Sequence, residues 1–353
     1  VEPAHHKEQP TDNAEAYQAY LRGMHYAREP EHSEEIIRLA LQMYRRATEL
    51  DPEFALAWAR LGSVHASLHH FGYDRTAERR DQALQAVEQA LALDPDLPEA
   101  HLAKGLYHYW TMKDYEPALA EFAIAEPALS GDSEFWSAKA FVVRRQGKWD
   151  EAERYLRKAI ELSPLDFDAR RNLMQTYLRR RKFAEAMRAA EESIALVPDQ
   201  VESYSTLSWA HWALTGDAER SRAALERMPH VDLPAAAESR YLHDMRAGNY
   251  TEALKHVEPD RTGPLSSSGF WRPMSLLAGF AHEQLGNRAA AVRAFEEALA
   301  AIDARLAERP DDFRLHASRG LALAGLDRKE EAIRSAEHGA ALYPVSKDCL
   351  LYT

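Results

Sequence analysis

Apolar and polar residues recur along this chain with a period of 34. The segment from Trp136 to Pro164 reads WSAKAFVVRRQGKWDEAERYLRKAIELSP, and the segment from Arg170 to Pro198 reads RRNLMQTYLRRRKFAEAMRAAEESIALVP. Within each segment, apolar residues return at helical spacing in two runs that a short polar turn separates. Such a period predicts an array of helix-turn-helix units, each burying its apolar face against the next.

About nine units fit this frame, so we predict an all-α fold, a right-handed α-solenoid of helix-turn-helix repeats. The second helix of repeat seven should be short, and that of repeat eight should be longer by roughly two turns. The predicted boundaries are a disordered lead-in at 1–12, repeats one to seven at 13–258, a linker or loop at 259–270, repeats eight and nine at 271–344 and a C-terminal tail at 345–353.

Small residues stand at the eighth position of the first helix in several units, as Gly62, Gly105 and Ala140. We expect them to let the two helices of a unit approach closely. A proline closes most units, because it cannot continue a helix. The acidic residues beside Pro52 and Pro95 are expected to cap the helix that follows.

Trp58, Leu61 and Gly62 match the W-x2-L-G opening of the tetratricopeptide repeat, and the frame extends over about 14–344. The chain therefore resembles that family. It is also similar to the tetratricopeptide arrays of bacterial signalling and regulatory proteins, of the TolB-like or adenylate cyclase-associated type. That likeness lies in AEAY at 14–17, YLRG at 20–23, ERPDD at 308–312 and PVSKD at 344–348.

In this family the first helices of the repeats line a concave groove, mainly with positions two, five, nine, twelve and thirteen. Arginine forks bind carboxylates, and aromatic residues anchor interfaces, so such a groove would suit an extended peptide with an acidic group. Alternatively, the aromatics pack between repeats and the arginines form a solvated face. The resemblance carries these positions over to Tyr109, Trp110, Phe141, Arg144, Arg145, Arg171, Gln175, Arg179, Trp209 and Trp212.

The formal charge of −12 argues against nucleic acid as the main partner, because phosphate binding needs a basic face. No apolar run approaches the ~20 residues that span a bilayer, so no direct membrane span is expected. Cys349 is the single cysteine, and the fold must therefore stand without an intrachain disulfide. These features fit a soluble protein of the bacterial cytoplasm or periplasm.

The sequence holds no nucleophile elbow, phosphate-binding glycine loop or HExxH motif, so we predict no enzymatic activity and no cofactor. His65 and His69 are four residues apart and are weak candidates for a metal site. His65 stands where the family usually has tyrosine, which gives it a structural explanation.

The predicted function is a scaffold or adaptor that binds a protein or peptide segment in the groove. One alternative is a structural subunit of a larger assembly, or an oligomer, docked through an uncapped C-terminal edge. There Ile333, Ala336, Ala340 and Leu342 would lie uncovered unless the tail folds back over them. Another alternative, from the resemblance, is a regulatory module of a bacterial signalling protein.

Overall fold

The structure is a computed structural model that describes residues 10–29, 33–229, 233–257, 265–266 and 270–344. Within these ranges the chain forms 18 α-helices, one π-helix and one two-stranded antiparallel sheet. The predicted all-α helical repeat fold is confirmed. The chain divides into two compact units, Val1–Asp166 and Phe167–Thr353.

Unit 1 consists of four consecutive pairs of antiparallel helices. Its helices are α1 (Ala14–Ala27), α2 (Glu34–Leu50), α3 (Ala55–His70), α4 (Ala77–Leu93), α5 (Pro98–Tyr107) with the π-helix His108–Met112, α6 (Tyr115–Leu129), α7 (Ser133–Arg145) and α8 (Trp149–Leu162).

Unit 2 continues with five further pairs. Its elements are α9 (Phe167–Arg179), α10 (Phe183–Leu196), α11 (Val201–Thr215), α12 (Ala218–Glu226), α13 (Pro234–Ala247), α14 (Tyr250–Lys255), β1 (Leu265–Ser266), β2 (Trp271–Arg272), α15 (Met274–Gln284), α16 (Arg288–Glu308), α17 (Phe313–Gly325) and α18 (Lys329–Leu342).

Close packing between the two helices of a pair depends on small residues at the predicted eighth position. A Cβ atom added at Gly105 would overlap Phe122 Cε1, and one added at Gly62 would lie 2.6 Å from Val87 Cγ2. Neither position leaves room for a Cβ atom. The Phe122 ring fills the space beside Gly105, and the Val87 side chain fills the space beside Gly62. The predicted role of these glycines is confirmed.

The predicted acidic caps are wrong in detail. Asp51 and Asp94 are the C-cap residues of α2 and α4, and their carboxylates accept from the backbone N–H two residues on, at 3.0 and 3.2 Å. The helices that follow have Phe54 and Leu97 as N-caps, without a side-chain hydrogen bond. The carboxylates therefore brace the turn between repeats.

The irregular repeats lie where the sequence predicts them. Helix α14 has 6 residues, and α16 has 21 against 14 in α8, which is a difference of two turns. In the predicted linker, Leu265–Ser266 pairs with Trp271–Arg272, while 259–264 and 267–269 lie outside the described residues. Thr11, in the predicted lead-in, is buried and donates to Asp51. Residues 1–9 and the tail at 345–353 also lie outside the described ranges.

Within the parts of the chain that the structure describes, no helix combines the length and the apolar character needed to cross a membrane.

Candidate functional site

A π-helical turn interrupts the first helix of the third repeat. Helix α5 ends at Tyr107, and His108–Met112 continues as a π-helix that closes on Lys113, whose φ is 57°. The Thr111 hydroxyl donates to the Tyr107 carbonyl at 2.7 Å. Single π turns inside α-helices often mark functional positions, because they shift the side chains that follow onto another face.

This turn builds a mixed aromatic and cationic cluster, which we call the π-helix cluster: His70, Tyr109, Trp110, Lys113 and Arg145. The His70 ring stacks on Trp110, with centroids 5.5 Å apart and planes 21° apart. Lys113 Nζ donates to His70 Nδ1 at 3.2 Å, and Arg145 Nε donates to the Tyr109 hydroxyl at 3.2 Å. The cluster thus joins α3, the π-helix and α7.

The electrostatic field in this cluster is positive at His70. Burial holds the pKa of His70 well below its usual value, and the charges of Lys113, Arg145 and Arg75 lower it further. The imidazole is therefore neutral at physiological pH. A neutral ring stacked on an indole, with cations at its margin, offers an apolar platform beside positive charge.

The structure separates the sequence-predicted residues of unit 1 into buried and accessible ones. Tyr109 is 2% exposed and Arg144 is 5% exposed, so their prediction as groove contacts is corrected: both lie in the packed interior. The Arg144 guanidinium carbon lies 5.6 Å from the centre of the Phe141 ring. Trp110, Phe141 and Arg145 are half-buried and keep accessible surface.

A long-range ion pair lies on the same side of unit 1, and sequence reasoning missed it. Arg60 Nη1 on α3 donates to both carboxylate oxygens of Glu134 on α7, at 2.7 and 2.8 Å. The Glu134 charge is the largest cause that raises the pKa of Arg60. The contacting first helices α1, α3, α5 and α7 define what we call the first-helix face of unit 1.

Five of the predicted groove residues belong to unit 2. Arg171 Nη2 donates to Asp168 Oδ1 at 2.5 Å within α9, while Gln175 and Arg179 are exposed. The other two lie three residues apart on α11. Trp209 is 36% exposed and lies against Arg246, and the half-buried Trp212 meets His243 edge-on, with centroids 5.9 Å apart.

The weak metal candidates have other partners. His65 is 4% exposed, and its Nδ1 accepts from Arg79 Nη1 at 2.7 Å. Burial, followed by the Arg79 charge, lowers the pKa of His65 to about 3, and burial lowers that of His69 to about 4. A guanidinium on the ring nitrogen leaves it no lone pair for a metal there. The described residues contain no group of three metal-ligating side chains.

The architecture defines the class of protein: an all-α array of helix pairs. The family model described as Tetratricopeptide repeat matches residues 98–230, a segment that includes Tyr109, Trp110, Lys113 and Arg145. Tetratricopeptide-repeat proteins generally act as scaffolds for protein–protein interaction.

The chain is similar to a curated protein and to several solved structures. The chain is similar to the BBSome complex member BBS4 of Bos taurus, at 25% identity over 193 residues, 55% of this chain and 35% of that protein. It therefore spans about a third of the length of this relative. The human IFIT1 dimer with m7Gppp-AAAA has a TM-score of 0.51 at 14% identity, over 88% of this chain and 69% of that one. A thermophilic TPR protein of Thermus thermophilus has a TM-score of 0.45 at 18% identity, over 55% and 98% of the two chains.

Proposed function

We propose that this protein is an interaction scaffold whose first-helix face in unit 1 binds an extended segment of a partner protein that carries a carboxylate. The observation that carries the proposal is the π-helix cluster, in which Trp110 stacks on His70 beside Lys113 and Arg145. Half-buried aromatic and arginine side chains at one place are typical anchors of protein interfaces.

The residue types in the cluster favour a carboxylate-bearing peptide. Arg145 presents a planar fork that matches carboxylate geometry, and the Tyr109 hydroxyl fixes its Nε position. The face of Trp110 supplies apolar contact area for the neighbouring peptide side chain at little entropic cost, because an indole has two rotatable bonds. The net charge of −12 disfavours a polyphosphate backbone as the ligand.

The same face already accommodates one carboxylate of the chain itself. The Glu134 carboxylate accepts two hydrogen bonds from the Arg60 guanidinium. A carboxylate is therefore compatible with the geometry and the field of this surface. A ligand that presents a second carboxylate at Arg145 would repeat that arrangement further along the face, since Arg145 ends the helix that Glu134 begins.

The test is selection of decapeptides from a randomised displayed library on the full chain, followed by calorimetric titration of the enriched peptides. We expect the enriched sequences to contain Asp, Glu or a free C-terminus. Trp110→Ala and Arg145→Glu should each weaken binding about tenfold or more, as truncation of an interface anchor does. The matched control is Arg46→Glu, because Arg46 is exposed on the second helix α2 and should leave the affinity unchanged.

Retention of affinity by both variants, with thermal unfolding as in the wild-type chain, would contradict the proposal. Arg144 is not used for charge reversal, because a residue 5% exposed would report on folding and not on binding.

A second candidate function is docking of another chain through the last repeat, as a subunit of an assembly. The observation in its favour is apolar surface on α18, where Ile333 is 47% exposed and Ala336 and Ala340 are also exposed. Selected peptides that bind regardless of Trp110 and Arg145 would favour this candidate. The similarity of 14–17, 20–23, 308–312 and 344–348 to bacterial regulatory arrays favours a further alternative, a regulatory module of a bacterial signalling protein.

A further inference from the structure

In unit 2, Arg246 of α13 lies against the ring of Trp209 of α11. The guanidinium carbon is 4.2 Å from the centre of the indole ring. A guanidinium stacked in this way uses its face for the aromatic contact. The N–H donors of a guanidinium lie in its plane, so contact through the face leaves them available to an acceptor.

Those donors have no acceptor in the part of the chain that the structure describes. Within it, Arg246 makes no hydrogen bond and no ion pair, and burial is the cause that lowers its pKa. Both Arg246 and Trp209 are nevertheless accessible to a ligand, since the side chains of both are exposed. The pair therefore presents an oriented cation whose donors are unused within the described structure.

Arg272, in the same unit, has the carboxylate partner that Arg246 lacks among the described residues. Arg272 also stacks on an aromatic ring, that of Phe270 at 4.5 Å, but its Nη1 lies 3.8 Å from Glu238 Oε1. Arg227 likewise has Glu191 at 3.1 Å. A stacked arginine in this unit is thus compatible with a carboxylate at its edge, and at Arg246 the chain supplies none among the described residues.

We propose that the Arg246–Trp209 pair is a binding site for a carboxylate of a partner polypeptide. The site lies in unit 2 and uses none of the residues of the π-helix cluster, so it goes beyond the function proposed for unit 1. The carboxylate belongs either to an Asp or Glu side chain or to a chain terminus. Arginine binds both through the same two-pronged geometry.

The stacking on Trp209 has a physical role in this site. A free arginine loses rotamer freedom when it binds a carboxylate, which weakens many exposed ion pairs. Contact with the indole restricts the side chain before the ligand arrives, so less freedom is lost on binding. Trp212, one turn further along α11, is held edge-on to His243 and adds aromatic surface on the same helix.

The experiment is an NMR titration that follows the indole N–H resonances of the 15N-labelled full chain. Three N-acetylated tetrapeptides are added separately, two with an amidated C-terminus and one with a free C-terminus. N-acetyl-tetraglutamate amide carries side-chain carboxylates, N-acetyl-tetraalanine with a free C-terminus carries a terminal one, and N-acetyl-tetraglutamine amide is the uncharged control. Trp209→Phe assigns the Trp209 resonance and keeps an aromatic ring under Arg246.

We expect a saturable shift of the Trp209 resonance with at least one carboxylate peptide and none with the glutamine peptide. The peptide that acts tells a side-chain carboxylate from a chain terminus. Arg246→Gln should weaken the apparent affinity about tenfold, the range of a hydrogen bond to a charged group. Arg188→Gln, at an exposed site on α10, is the control and should behave as the wild-type chain.

The proposal is overturned if neither carboxylate peptide shifts the resonance, or if the shift persists undiminished in Arg246→Gln. Since Arg246 is exposed, this substitution should leave the fold intact, and unchanged remaining indole resonances would verify it. The Arg145→Glu variant should retain the Trp209 shift, so failure of the unit 1 proposal leaves this result intact.

Discussion

His65 is a buried histidine that is held neutral by its surroundings in the first helix of the second repeat. It is 4% exposed, and the cation on its ring nitrogen is Arg79, which also pairs with Asp74 at 2.9 Å. A proton on this ring would therefore face desolvation and a positive charge together. That combination makes the histidine a source of acid sensitivity.

The predicted consequence is a loss of stability below neutral pH. The folded pKa of His65 is about 3, below the unfolded value near 6.5, so the unfolded state takes up the proton first. The contribution is fully present above pH ~6.5 and is lost as the pH falls toward 3. From pH ~7.5 to ~5, urea unfolding of the wild-type chain should lose about 2 kcal/mol more than that of His65→Tyr.

The control is His25→Tyr, because His25 is exposed on α1. Its pH dependence should follow the wild-type chain. An equal loss in all three proteins would show that other groups set the acid sensitivity.

Of the groove residues counted along the sequence, some keep accessible surface and others are buried, for a steric reason. Tyr109 and Arg144 both stand at position twelve of their helices, and both are buried. Their neighbours at position thirteen, Trp110 and Arg145, keep accessible surface. The Tyr109 side chain turns into the contact between the π-helix and α7, as the hydrogen bond from Arg145 to its hydroxyl shows.

At the scale of elements, the helix pair α5–α6 depends on the absence of a side chain at Gly105. The ring of Phe122 is fully buried and fills the space beside that glycine. Overpacking of a close-packed contact costs about 1–3 kcal/mol, because the ring or the backbone must shift. The better helix propensity of alanine offsets roughly 1 kcal/mol at most.

We therefore predict that Gly105→Ala lowers the free energy of unfolding, by about 1–2 kcal/mol net. Gly131→Ala is the matched control, since a Cβ at Gly131 would meet nothing within 4 Å. Chemical denaturation of the two variants measures the difference. Equal stability of both variants would mean that the helices of this pair can separate without cost.

Helix lengths that the spacing of apolar residues determines were predicted well. A local change in the hydrogen-bonding pattern within a helix was not. The length of α16 and the shortness of α14 could be read from the spacing of apolar residues. The π turn at 108–112 could not, because one extra residue in a helical turn leaves no mark in composition. The cation on Trp209 was missed because Arg246 lies 37 residues further along the chain, and only the packing of α11 and α13 brings the two together.

At the scale of the whole molecule, the repeat frame predicts the class of fold but not the division of the chain. The boundary of the two compact units falls between Asp166 and Phe167, at a repeat boundary inside the segment predicted as repeats one to seven. The ten predicted groove residues are thus divided evenly between two units. The two proposed carboxylate sites accordingly lie in different units, at Arg145 in unit 1 and at Arg246 in unit 2.

The most direct test of the scaffold function is a crystal structure of the full chain with a peptide selected for binding. We expect the peptide to lie on the first-helix face of unit 1, against Trp110, with a carboxylate within about 3 Å of the Arg145 guanidinium. A peptide bound instead on the second helices, or against α18, would contradict that account.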